Sequence, residues 1–303
     1  IMLLLVIARL TFNPWVILYD VSSFTLLLTY AGCLAASLIA ARELQDRQEL
    51  KAWLYSASAH LLVLTLAVFT RYLLYGGDIF AKEFNLTEAS VYVCSWAAVG
   101  IIYEWKSNQL VNYQRWYRGM AMLHIYAAGL LFVFYNMFEH NPLWRSESIG
   151  NTPVFNLLLI AYGLPVVLAV AIYKRIAALK KHAGIISITG VYLFATLEIR
   201  HLWNEGLRLN MPVKEGELYT YSLVWLLLSL AIMIYGAVRN NNDAKKAGVV
   251  ALLLVIVKAF FWDMRDLDGL WRVVSFLGLG LSLLGVAYLF NKLKSVEKTD
   301  RAS

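Results

Sequence analysis

The chain has 303 residues, of which 60% are hydrophobic, 14% aromatic and only 16% charged. A soluble domain carries about 25% charged residues, so an ordinary soluble domain and a disordered chain are excluded, and two cysteines are too few for a disulfide scaffold. The net charge of +7 does not point to nucleic acid, because the basic residues gather in short loops between apolar runs and no basic patch interleaves with exposed aromatics.

The first segment, 1–12, is apolar from its first residue, without a basic leader or a small-residue cleavage site. It reads as the end of a preceding span and not as a signal peptide; a C-terminal fragment of a longer protein is expected. A helix needs about 20 apolar residues to cross a bilayer. Candidate spans follow at 21–41, 52–75, 89–105, 117–138, 154–173, 183–204, 218–238, 246–262 and 272–291. The expected fold is all-α, a polytopic transmembrane helical bundle of nine to ten spans.

Charge supports this order. Loops 42–51, 106–118, 174–182 and 239–246, with the tail 292–303, hold seventeen Lys and Arg. The opposite loops hold six, namely Lys82, Arg145, Arg208, Lys214, Arg265 and Arg272. By the positive-inside rule the first set and the C-terminus face the cytoplasm. Trp15, Trp144, Trp203, Trp262 and Trp271 fall near outer span ends.

The chain also repeats itself. Arg71 matches Arg200, Glu88 matches Glu217, Tyr92 matches Tyr221, Trp96 matches Trp225 and Gly119 matches Gly248, all at an offset of 129. Asn13-Pro14 recurs as Asn141-Pro142, Leu26-Leu27-Leu28 as Leu157-Leu158-Leu159, and Leu143-Trp144-Arg145 as Leu270-Trp271-Arg272. The expected organisation is the end of a preceding span at 1–12, a four-span repeat at 13–140 and a second at 141–262. An outer loop, a last span and a basic tail follow at 263–303. Four spans per copy give both copies the same sense, related by a pseudo-rotation about the membrane normal.

Costly polar residues concentrate near the outer boundary. Glu217, Tyr221 and Trp225 share one helical stripe, as do Glu88, Tyr92 and Trp96. Arg200 lies about 26 Å up its span, the height at which Glu217 opens the next, so Arg71–Glu88 and Arg200–Glu217 ion pairs are expected. Intramembrane charges default to a functional hypothesis, but pairs that recur in both copies can equally fix helix packing. Glu198, His201 and Glu205 lie on one face, and Tyr219 and Tyr221 add hydroxyls beside Glu217. No second Glu-x-x-His step accompanies Glu198 and His201, so no metal is expected. Lys258 lies deeper still, where an ammonium needs a partner; Asp263, Glu198 and Glu217 are the candidates. Asp263, Arg265, Asp266, Asp268 and Arg272 crowd the next outer loop.

Other polar residues read as structural. Cys33 and Cys94 are packing residues. His60 and His124 read as satisfied core histidines, His182 as part of the basic loop signal, and His140 shows no partner. Ser275, Gly278, Ser282 and Gly285 form a small-residue face for tight helix docking. Walker A, G-x-S-x-G and HExxH motifs are absent, and no cofactor is expected.

The run Leu197-Glu198-Ile199-Arg200-His201, then Glu217-Leu218-Tyr219-Thr220-Tyr221-Ser222, Lys258 with Asp263, and Gly269 through Gly280 resemble a bacterial family of predicted membrane proteins, domain of unknown function 2339. The resemblance is clear over 141–291 and weaker before it; Trp271 stands where Tyr is expected. It implies a multi-pass protein of the bacterial inner membrane and brings no activity with it.

Three functions fit. The first is binding or transport of an anionic or sugar-bearing envelope molecule or lipid head group. Its candidate ligand residues are Glu198, Arg200, His201, Glu217, Tyr219, Tyr221, Lys258, Asp263 and Arg272, with Arg71, Glu88 and Tyr92 as repeat equivalents. The second is a structural or assembly protein whose ion pairs lock helices. The third is an envelope lipid-linked transferase, with Glu198, His201 or Glu217 as general base and Arg200 or Lys258 stabilising charge. Membrane lipids are the expected partners, and nucleic acid is not.

Overall fold

The computed structural model describes residues 22–44, 47–204, 206–259 and 261, and short pieces at 277–278, 280–281 and 284–285. Its α-helices are α1 (Ser23–Glu43), α2 (Gln48–Leu74), α3 (Leu86–Ser107), α4 (Gln114–Leu131), α5 (Leu164–Arg175), α6 (Lys180–Trp203), α7 (Glu215–Val238) and α8 (Asn242–Lys258). No strand occurs among the described residues. That is the all-helical class expected of chains with apolar runs of this length.

Helix starts follow side-chain chemistry. The Ser22 hydroxyl accepts from the Thr25 N–H at 3.2 Å and opens α1. The Asn85 carboxamide accepts from the Glu88 N–H at 3.0 Å and opens α3. Asn241 accepts from the N–H groups of Asp243 and Ala244 to open α8. Each satisfies donors that the first turn leaves free. α7 ends where Asn240 adopts φ 49°, a left-handed stop that lets Asn241 N–H bond back to Gly236 O at 2.8 Å.

Five helical stretches are long and apolar enough to cross a membrane among the described residues: Gln48–Leu74, Leu86–Ser107, Gln114–Glu139, Ala177–Trp203 and Gly216–Val238. Helices α1, α5 and α8 stand at three further expected positions without joining those five. The last span, 272–291, lies outside the described residues but for three short pieces, as does its small-residue face apart from Gly278 and Gly285. Segment 1–12 lies outside them too.

Two runs depart from the expected helices. The run expected to start at 154 is bent through 156, with φ +91° at Gly150 and +66° at Val154. Its helix begins only after the Asn156 side chain accepts from Leu158 N–H at 2.7 Å. Beyond α4, residues Phe132–Glu139 wind as a π-helix, and a second π-helical stretch, Leu159–Gly163, leads into α5.

The described chain divides into two compact units between Val191 and Tyr192, within α6. In the first, α2 packs between α1 and α3, and α3 also carries α4 and α5. Its core joins Ala52, Ala59, Val99, Tyr103, Tyr117 and Ala121. Small residues set the spacing: a Cβ on Gly100 would meet the Ile125 side chain at 2.6 Å and Ala121 O at 3.1 Å. In the second, α7 and α8 form a hairpin at backbone contact. A Cβ on Gly236 would stand 2.4 Å from Lys245 N, and one on Gly248 would stand 2.6 Å from Met233 N.

Candidate functional site: an arginine–glutamate clasp in each unit

Both expected ion pairs form. Arg71 Nη1 lies 2.5 Å from Glu88 Oε1, and Arg200 Nη1 lies 2.9 Å from Glu217 Oε1. Each arginine closes the last turn of a helix and each glutamate sits in the first turn of the next. Those are the positions where the helix dipole favours a cation and an anion respectively.

The arginines also fasten the loops between the helices. Arg71 Nε donates to Ile79 O at 2.7 Å, and its Nη2 donates to Ala81 O and to Glu83 O. Arg200 Nε donates to Leu207 O at 3.1 Å, and its Nη2 donates to Arg208 O at 2.6 Å and Met211 O at 3.0 Å. One planar fork of donors thus holds a carboxylate and three loop or loop-end carbonyls.

Each carboxylate is completed by neighbours. Glu217 is 0% exposed. Its Oε1 accepts from Arg200 and from the Tyr221 hydroxyl at 2.7 Å; its Oε2 accepts from Asn204 Nδ2 at 3.0 Å and from the Lys214 backbone N–H at 3.3 Å. A carboxylate has about four lone-pair sites, so the protein fills them all. Glu88, also fully buried, accepts from Arg71 and the Tyr92 hydroxyl on Oε1 and from the Tyr75 hydroxyl at 2.9 Å on Oε2.

Tyr75 and Asn204 were not singled out from the sequence, although they stand 129 residues apart like the pairs that were. Their chemical types differ while their role, a donor to Oε2, is shared. The N-cap positions also correspond: Asn85 uses its side chain on the Glu88 N–H, whereas Lys214 uses its own N–H on the Glu217 carboxylate.

Other candidates are placed differently. Tyr219 does not join Tyr221 beside Glu217; it is 58% exposed. Two residues turn a helix by about 200°, so the two tyrosines point to opposite faces. Glu198 and His201 lie partly buried on α6. Lys258 Nζ donates to Leu218 O at 3.0 Å and Ser222 Oγ at 2.6 Å on α7. Glu205, Asp263 and Arg272 lie outside the described residues. Among the described residues no group of three or more His, Cys, Asp or Glu could hold a metal ion.

His140 has a partner after all: its Nδ1 is 3.1 Å from Glu147 Oε1, brought close by the fold of the loop. His60 and His124 each place Nδ1 on the carbonyl four residues earlier, Ser56 O and Met120 O, as core histidines do. Cys33 and Cys94 are free thiols, and Cys94 Sγ is 3.7 Å from Ile160 O. Asn136, a lone amide in an apolar run, was missed. It is fully buried in the first π-helix, donates to Ser90 Oγ and Ala161 O, and accepts on its backbone carbonyl from the Tyr162 hydroxyl.

Repeat matches are not all used alike. Gly248 is needed for the contact with Met233, but a Cβ on Gly119 would meet nothing within 4 Å. Trp225 Nε1 donates to Thr196 Oγ1, whereas the Trp96 ring lies 5.1 Å from the His124 ring.

Residues 1–293 match the family model described as "Predicted membrane protein (DUF2339)". The chain belongs to this family. The match covers essentially the whole chain, wider than the 141–291 over which the resemblance was clear from the residues. No curated protein and no solved structure matches it. The clasps described above therefore lie in a protein of membrane type, with several helices apolar enough to span.

Proposed function

We propose that the two clasps are staples for helical hairpins, and that the protein is a membrane-embedded structural or assembly component. The observation that supports this reading is the state of Glu217, wholly buried with its lone pairs taken by four protein donors. A ligand-binding carboxylate or a general base needs a lone pair to offer. Arg200 is equally committed, with its fork on one carboxylate and three carbonyls. In the same proposal the chain crosses the inner membrane of bacteria nine to ten times, with two four-span repeats and its C-terminus in the cytoplasm. Reporter fusions within 174–182 test the orientation, and a fusion active outside the cell refutes it. For the staple itself, Arg200→Ala lowers abundance and resistance to unfolding before any cell-envelope phenotype appears. Normal abundance with an altered envelope lipid or glycan profile refutes it.

A second reading, binding or transport of an anionic or sugar-bearing envelope molecule, draws on Lys258. This cation sits at the end of α8 in the apolar part of the chain, partly buried against α7. Lys258→Gln in folded protein separates the two: a changed envelope profile favours binding, and an unchanged one favours the staple. A lipid-linked transferase would have to rely on Glu198 or His201 as its base, because Glu217 is saturated.

A further inference from the structure

The ends of α2, α3 and α4 around residues 47–53, 104–107 and 114–118 carry a feature that the clasps do not use. The Tyr117 hydroxyl donates to Ala52 O at 2.6 Å, and the Trp53 and Trp116 rings lie 6.1 Å apart, so these helix ends are fixed together. Lys106 Nζ stands 3.9 Å from the Tyr55 ring centroid and 4.7 Å from that of Trp105. Trp53, Trp105 and Trp116 are nevertheless 43%, 49% and 52% exposed, so here, against the expectation from the sequence, basic residues do interleave with exposed aromatics. Between 104 and 118 the chain holds three cations, Lys106, Arg115 and Arg118, and one acid, Glu104. Glu104 is buried, with Arg118 Nε at 3.9 Å, while the Arg118 side chain is 51% exposed. Arg115 is exposed too.

We propose that this end of the α2–α3–α4 bundle binds an anionic phospholipid, with Lys106, Arg115 and Arg118 on the phosphate and the exposed tryptophans against the glycerol and upper acyl chains. Tryptophan rings settle at head-group depth in a bilayer. A lysine held over two such rings by cation–π attraction is kept at that same depth. Basic pockets between helices at a membrane face bind acidic head groups, and each Lys or Arg adds about 1 kcal/mol, or about fivefold. The combination selects a lipid over a protein or a soluble anion, because the rings flanking the cations are exposed on apolar helices. The inference rests on the chain being a membrane protein and is independent of the clasps.

The test is native mass spectrometry of the full chain in neutral detergent, offered phosphatidylglycerol and phosphatidylcholine of identical acyl chains. Phosphatidylglycerol is expected to be retained several-fold more, and Lys106→Gln to lower that preference by about fivefold. The combined Lys106→Gln, Arg115→Gln and Arg118→Gln variant is expected to abolish it, while Lys245→Gln with Lys246→Gln leaves it intact. Lys106→Arg retains it, which separates charge from a folding defect. Equal retention of both lipids, or a preference untouched by the combined variant, overturns the proposal. So does displacement of the lipid by inorganic phosphate alone, which would make the site one for a free anion.

Discussion

Asn204 and Tyr75 occupy corresponding places in the two clasps, each donating to the Oε2 of a buried glutamate, at 3.0 Å on Glu217 and 2.9 Å on Glu88. The clasp is thus preserved as a pattern of donors around a carboxylate. It tolerates an amide in one unit and a phenol in the other because both offer a single N–H or O–H at the same point. That tolerance is what a packing device permits.

Removing the carboxylate charge exposes the cost of the pair. Glu217→Gln leaves Arg200 buried without its counter-charge and sets an amide NH2 against two of the four donors that now converge on the carboxylate. Breaking a buried pair costs about 3–5 kcal/mol. The expected result is a marked fall in the unfolding temperature in detergent, followed by tryptophan fluorescence.

The two tyrosines of the 217–221 turn should behave oppositely. Tyr221→Phe removes a hydrogen bond to a buried carboxylate, about 1.5–3 kcal/mol. Tyr219→Phe alters an exposed residue and should stay within about 0.5 kcal/mol of the parent. Parallel thermal melts of the two variants check this.

The glycine pair gives a similar contrast. Gly248→Ala forces a methyl into the Met233 backbone and should cost about 1–3 kcal/mol. Gly119→Ala meets open space and should be neutral or stabilise by about 0.4–1 kcal/mol. If both lose stability equally, the α7–α8 contact is not what Gly248 serves.

At the helix starts, Asn85→Ala removes a side-chain cap and should cost about 1 kcal/mol. Lys214→Ala keeps the backbone N–H that reaches Glu217, so the carboxylate bond survives. Melting curves in detergent should show the first variant unfolding at lower temperature than the second.

The sequence made some of this legible for plain reasons. Charges in an apolar chain are costly, so Arg71, Glu88, Arg200 and Glu217 stood out, and an arginine near the outer end of one span with a glutamate opening the next placed each pair at one height. The loop carbonyls that complete the clasps could not be read, because they depend on the path of the loop and not on residue type. The Glu147 partner of His140 was hidden for the same reason, in a loop turned at Asn141, whose carbonyl accepts from the N–H groups of Trp144 and Arg145. Tyr219 was misplaced by nearness in sequence, although helix periodicity already separates it from Tyr221. The late start of the helix before α5 follows from Asn156 acting as a cap inside an otherwise apolar run.

The central claim is that Arg200 and Glu217 hold the protein together and do not hold a ligand. A double-mutant cycle with Arg200→Met and Glu217→Leu, read as unfolding temperature and membrane abundance, tests it most directly. The account predicts that each single variant is strongly destabilised and that the double variant is no worse than either. Two single variants as stable as the parent, or losses that simply add, would contradict it.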